Sequence, residues 1–374
     1  MSALSVEQVV ARSLRAHALV KPAASIGQAI VAAAGIYGTS PTSHLGLAAR
    51  LEQYHPADLE RERLETRSIV RVPGMRGSAF LAPRELVPAF LGLSRPRTVR
   101  RTLAGAGVTD AEQERLAGLI EHILADEPLA GRDIRSRLAA DEPGGPLMTL
   151  VLRGMAHEGR IVSADPIGGE RATAYRYARM ADWAPLPTPV PSVEQALAVM
   201  APIWMQAHGP GTVDDLSWWA GVGKRQAKAA LLAMDAHQVV VDGLEGEQWA
   251  TDAVIEEALG AVSPGTVQLL PVWDAWLMAR RERSRLLAPA DRPYVVDKSG
   301  NVANTITLDG RVVGTWDIDA EKLLVHRFAD VPLPRIEAAG ERLRAQFGWT
   351  RLREDSDPRP LDEGGQNAFR APLR

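Results

Sequence analysis

The chain has 374 residues, 43 Lys+Arg against 46 Asp+Glu for a formal charge of −3, and no cysteine. This excludes disulfides, thiolate metal sites and a cysteine nucleophile, and 46% hydrophobic with 24% charged residues excludes a disordered chain. The near-neutral balance also lacks the strongly basic signature of a simple nucleic-acid-binding domain. Length predicts two or three domains. Glu7, Arg12 and Arg15 interrupt the first apolar pattern, so no secretory signal is read there. The small apolar run from Ala29 to Ile36 falls far short of the ~20 residues that span a bilayer. A soluble, cytoplasmic protein without a membrane partner is the expectation.

In chain order, residues 1–104 read as helices at 5–18, 25–36, 43–53 and 57–66, then a hairpin from Ser68 to Leu81. Residues 105–184 read as a helix at 109–125, a short helix at 129–138 and a Gly/Pro break at Pro143–Pro146. A helix to His157 and a hairpin from Arg160 to Tyr177 follow. Four prolines on alternating positions, Pro185 to Pro191, mark a stiff linker. Residues 185–262 repeat the order: a helix at 192–207, a Thr212-capped helix to Ala220, a glycine turn, and a helix carrying Lys224, Arg225 and Lys228. A wing to Trp249 completes it. Ser5-Val-Glu-Gln8, Ser192-Val-Glu-Gln195 and Thr109-Asp-Ala-Glu112 each read as a capping box. Helix, helix, turn, helix and hairpin is the order of a winged helix.

Residues 263–374 change pattern. Gln268-Leu-Leu-Pro is strand-like, Trp276 to Leu287 helical, and Asn304 to Ile318 a hairpin turning at Asp309-Gly310. A helix at 333–347 precedes a polar, irregular tail. The predicted class is therefore α+β, mainly helical, with three tandem winged-helix units and a C-terminal β-rich domain.

Three basic clusters suit phosphate: Lys224, Arg225 and Lys228; Arg280, Arg281, Arg283 and Arg285; and Arg95, Arg97, Arg100 and Arg101. The alternative for each is a solvated helix face. Trp218-Trp219 reads as core rather than a base-stacking platform. The eight histidines have no metal-ligand spacing, and no phosphate loop or nucleophile elbow is present. No metal or cofactor is expected.

Several stretches resemble the AlkZ/YcaQ-like winged-helix DNA glycosylases. They are Arg71-Val-Pro-Gly-Met-Arg-Gly-Ser-Ala-Phe-Leu-Ala-Pro83, His208 to Gly221, Gln268 to Leu277 with Arg281 to Leu286, and Asp309 to Trp316. The resemblance runs over nearly the whole chain in family order. It implies three winged helices and a β-rich domain around duplex DNA, and metal-free removal of alkylated or crosslinked purines by a monomer. Arg71, Arg76, the Lys224 helix, Arg280, Arg281 and Arg283 would hold phosphates. The family's Gln-Φ-Gln or Gln-Φ-Asp motif falls on Gly35-Ile-Tyr-Gly-Thr-Ser-Pro41, so Tyr37 and Thr39 occupy the two catalytic positions.

A phenol and an aliphatic hydroxyl are poor general bases at neutral pH but can position a water. A cationic alkylpurine leaves as a neutral base and needs less help, with His44 or a carboxylate such as Asp58 assisting. Two alternatives stay open. The turn could simply pack Tyr37 and cap the next helix with Thr39 or Ser40. The protein could also bind DNA without catalysis, as a regulator or damage-sequestering relative.

Overall fold

Three of the helix starts follow directly from side chains. The Ser5 and Gln8 side chains exchange bonds with each other's backbone N–H groups, as do Ser192 and Gln195, while Thr109 accepts from Glu112 N alone. The computed structural model describes residues 3–94, 96–139, 142, 145–168, 174–319, 322–347, 349–355 and 358–363. Within them the protein is α+β, and the chain divides into two compact units. One comprises residues 1–37, 41–54 and 201–374, the other 38–40 and 55–200.

In the second unit, helices Asp110–Ile123, Gly131–Arg137 and Gly145–His157 close over a core of Leu116, Ile120, Ile134, Val151, Leu152 and Ile161. Strands Ala79–Pro83, Ile69–Pro73, Ile161–Pro166 and Tyr175–Arg179 run side by side in that order, antiparallel throughout. Both predicted hairpins are present, although residues 169–173 of the second lie outside the described residues, as do Pro143 and Gly144 of the predicted break. The expected helix at 57–66 is Pro56–Glu60 followed by a turn of π-helix, Arg61–Glu65.

The first unit holds a five-stranded sheet in the order Val267–Leu270, Thr305–Leu308, Arg311–Asp319, Lys322–Arg327 and Arg351–Glu354. Asp309 and Gly310 form its predicted tight turn at φ 49° and 80°. A Cβ on Gly310 would lie 2.7 Å from both Trp276 Cζ2 and Val10 Cγ1, so no side chain fits there. The last strand, parallel to its neighbour, replaces part of the irregular tail. Helices Val193–His208, Val213–Ala220 and Lys224–Ala233 are followed by strands His237–Val239 and Gln248–Ala250.

The helix expected from Trp276 to Leu287 is a correction: only Ala275–Met278 is helical. The residues after it spend their hydrogen bonds elsewhere. The N–H groups of Arg281 and Glu282 both donate to Asp215 Oδ1, at 2.9 and 3.3 Å, instead of to carbonyls four residues back. Trp219 is buried against Trp204, with ring centroids 6.5 Å apart, and the Trp218 indole donates to Met278 O.

Helix Thr42–Ala48 is fastened within the first unit in two ways. Leu45 joins the sheet's core with Leu269, Ile306 and Trp316. Two residues past the helix, Arg50 meets Asp274 in a bidentate pair at 2.7 and 2.9 Å, both side chains buried, and also donates to Gly46 O. Removing one member strands a buried charge, so Asp274→Ala is expected to cost about 3–5 kcal/mol. Replacing both partners by apolar residues of similar size recovers most of that loss. Urea midpoints of the single and double variants measure both effects.

Nearby, His17 Nε2 lies 3.1 Å from His208 Nδ1 in full burial. Burial, then the neighbouring histidine and Arg50, Arg280 and Arg12, hold His17 well below its ordinary range. Burial and the same arginines do so for His208. The unfolded chain therefore binds more protons once the pH drops below the free imidazole value of about 6.5. Stability should be full above that pH and fall beneath it, by up to about 1.4 kcal/mol per pH unit for each ring. Denaturation between pH 7.5 and 5.5, with a His17→Gln variant of shallower slope, tests this.

Candidate active site and nucleic-acid interface

The segment holding the two motif positions is shaped by its neighbours. Tyr37 ends strand Ile36–Tyr37 and is buried, whereas Thr39 is partly exposed. Between them, Gly38 N–H donates to Ala79 O at 2.8 Å. A Cβ on Gly38 would lie 3.1 Å from the Phe80 carbonyl carbon and 3.1 Å from Arg71 Cγ, so any larger residue would push these neighbours back by a few tenths of an ångström. Ser40 is buried. Pro41 stands at the N-cap of helix Thr42–Ala48 and supplies no side-chain capping bond.

Arg71 reaches this turn from strand Ile69–Pro73. Its Nε donates to Gly38 O at 2.6 Å and its Nη1 to Ser163 Oγ at 2.9 Å. The guanidinium also lies over the Tyr175 ring, 4.1 Å from the centroid. Burial pulls its pKa below the ordinary value, and Tyr175 and Tyr177 oppose that pull. Arg71, read from sequence as a phosphate contact, gives these donors to Gly38 and Ser163 instead.

His44, in helix Thr42–Ala48, is buried, and its Nδ1 lies 2.6 Å from Tyr54 Oη. Tyr54 is the partner that sequence reasoning missed, ten residues on and without a motif to mark it. Such a bond fixes the ring and selects its tautomer. Asp58 pairs with Arg61 at 3.1 Å on an exposed face.

The basic clusters divide. Lys224, Arg225 and Lys228 are exposed on helix Lys224–Ala233; Lys224 pairs with Asp214 at 2.7 Å, and Lys228 Nζ lies 5.8 Å from the Trp249 ring centroid. The C-terminal arginines mostly face inward. Arg280, 2% exposed, donates to His208 O; Arg283, 8% exposed, to Leu277 O; and Arg285 to Pro210 O and Gln248 Oε1. Arg281 alone of the four presents its side chain to solvent, 3.6 Å from Asp214. The phosphate role expected of Arg280 and Arg283 is thus set against bonds already made to backbone carbonyls. Arg76 stands at the tip of the first hairpin with φ 58°. In the third cluster Arg100 pairs with Glu158 and Arg101 is exposed, while Arg95 and the Arg97 side chain lie outside the described residues.

This frame matches a known one. The family model for AlkZ-like DNA glycosylases matches residues 33–346. An interstrand DNA cross-link repair glycosylase of Streptomyces sahachiroi is 26% identical over 315 residues, covering 76% of this chain and 81% of that protein. The solved structure of the Streptomyces sahachiroi DNA glycosylase AlkZ superposes with a TM-score of 0.78 at 20% identity, covering 95% of this chain and 100% of the other. The chain belongs to the AlkZ-like DNA glycosylase family. Its class is thereby that of DNA-acting glycosylases and not of non-catalytic winged-helix regulators.

Removing the grip on the 38–40 turn should loosen it. Arg71→Met leaves Gly38 O without its donor, with an expected cost of about 1–3 kcal/mol and faster exchange of the Gly38 amide. Exchange at the unaltered rate would show the turn to be held without Arg71.

Proposed function

We propose that the protein hydrolyses the N-glycosidic bond of cationic alkylated purines, or of interstrand crosslinks through such purines, in duplex DNA. Thr39 and Tyr37 would orient the attacking water, with His44 assisting. Family membership over residues 33–346 carries the reading. Beside it stands the constrained turn, in which the partly exposed Thr39 follows a glycine pinned at N–H and C=O.

The chemistry fits those groups. Departure of an N3- or N7-alkylpurine removes positive charge from the base, so the transition state asks mainly for a placed water and for stabilisation of an oxocarbenium-like sugar. A hydroxyl serves as hydrogen-bond acceptor and donor to that water without losing its own proton. The buried phenol of Tyr37 is better suited to fixing the turn than to taking up a proton.

The DNA-facing elements in this reading are helix Lys224–Ala233, with Lys224, Arg225 and Lys228, and the hairpin tip at Arg76. Three winged helices, at 1–104, 105–184 and 185–262, and the β-rich domain at 263–374 would present them, in a monomer that needs no cofactor. The helix–helix–helix–hairpin order of 110–179 and 193–250 supports the second and third of these units.

Single-turnover release of 7-methylguanine from duplex DNA tests the proposal. Thr39→Ala should lower the rate by about 10²-fold, and Tyr37→Phe should lower it less. DNA binding by both variants stays within a few-fold of the parent. Failure to release base from any alkylated duplex at high enzyme excess, with salt-sensitive binding intact, would overturn the catalytic reading in favour of a damage-binding relative.

A further inference from the structure

Two cavities of the second unit carry opposite electrostatics. One, of about 180 Å³, is lined by Arg100 and Arg160 but also by Asp110, Glu114 and Glu158. Its cations are already neutralised, Arg100 by Glu158 at 2.5 Å and Arg160 by Glu114 at 2.6 Å. The other, of about 160 Å³, is lined by Arg76, Arg153, His157, Ser94, Thr102 and the backbone of Gly77, with no carboxylate among its described lining.

Three features mark that second cavity as built for an anion. Arg153 is exposed and makes no ion pair among the described residues, although 20 ion pairs are made elsewhere among them. His157 is 3% exposed, and its Nδ1 has no hydrogen-bond partner among the described residues. An unsatisfied buried nitrogen of this kind is costly unless something fills the site. The hairpin tip is also shaped to reach in: Arg76 holds a left-handed conformation at φ 58°, ψ 14°, which a side-chain-bearing residue rarely adopts. Gly77 follows at φ 75°, and a Cβ there would lie 3.4 Å from His157 Cε1 and 3.7 Å from Arg153 Nη2. Burial, then the adjacent Arg153, hold the His157 imidazole below its ordinary range, a bond to the Ser94 backbone opposing them, so the cavity's positive charge is that of its two arginines.

We infer that this cavity is a seat for one phosphate group, held by the guanidinium groups of Arg76 and Arg153 with Thr102 and the His157 ring beside it, the Ser94 hydroxyl being turned to His157 O. A planar guanidinium offers paired donors to phosphate oxygens, and two of them with no carboxylate among the described lining select a tetrahedral oxyanion over a metal or a neutral ligand. The seat rests on the glycosylase reading only for the owner of the phosphate, which in a DNA-acting enzyme is the nucleic-acid backbone. The shared chemistry also admits a free phosphate or nucleotide.

The test uses the full chain and two charge-reversed variants, Arg153→Glu and, as control, Arg132→Glu, whose side chain is 84% exposed and outside the cavity. Thermal melts establish that both are folded, and Arg153→Ala repeats the test without reversing charge. Inorganic phosphate should shift the His157 ring resonances of the parent and of Arg132→Glu but not of Arg153→Glu. Binding to an undamaged duplex should weaken at least tenfold in Arg153→Glu, and the slope of log affinity against log salt should fall by about one. A His157 response to phosphate with unchanged duplex affinity keeps the seat and assigns it to small phosphates. Absence of that response in the parent, or equal weakening in both glutamate variants, overturns it. The glycosylase reading is separable: excision without phosphate binding sinks the seat alone, and phosphate binding without excision sinks only the catalysis.

Discussion

Arg50 and Asp274 stand 224 residues apart and share two direct hydrogen bonds. Neither charge could stay buried alone, so the helix that carries His44 and Leu45 is obliged to meet the C-terminal sheet's leading loop. The pair does more than join two charges. Asp274 also accepts from the Trp276 N–H, Trp276 donates from its indole to Gly310 O, and Arg50 reaches back to Gly46 O in the last turn of the helix before it. One ion pair thus ties the sequence around the motif to the buried tryptophan and the Asp-Gly turn, which lie in two of the stretches that carry the family resemblance.

Arginine plays the same part elsewhere in the molecule, with carbonyls as partners. Arg280, Arg283 and Arg285 reach the carbonyls of His208, Leu277 and Pro210, and Asp215 receives the backbone N–H groups between them. This explains why a run with helical composition is not a helix. Periodicity registers which residues are apolar, and it has no access to partners about 70 residues away that outbid local hydrogen bonds. The hairpins, the tight Asp-Gly turn and the capped helices were legible because their determinants are neighbours in sequence. The basic clusters were legible as charge but not as direction. Lys224, Arg225 and Lys228 point to solvent on a short polar helix, while three of four arginines in a similar-looking run point inward.

The motif region shows the same division. Its family position could be read from Gly35 to Pro41, and so could its departure from the family's amide pair. The hold on it could not. Arg71 lies 33 residues beyond Gly38 and reads as one more cation on an exposed hairpin, yet its fork spans Gly38 and Ser163 while its face covers Tyr175. Two elements that seemed separate in sequence, a basic hairpin and an unusual turn, are one piece of chemistry. The hairpin's first arginine shapes the turn, and its second, Arg76, sits in a strained conformation at the tip where function more often draws such strain.

Six arginines with almost no exposed surface, Arg12, Arg50, Arg63, Arg280, Arg283 and Arg285, change what the chain's 43 basic residues mean. A dicarbonyl reagent that condenses with guanidinium groups would leave these six intact in the folded protein and consume the exposed ones, Arg153 and Arg225 among them. The extent of modification before and after unfolding therefore reports how many cations serve the interior. For this protein, arginine is an internal fastener as much as a surface charge. A lysine substituted for any of the six would bring its charge without the planar set of five donors that makes the buried position tolerable.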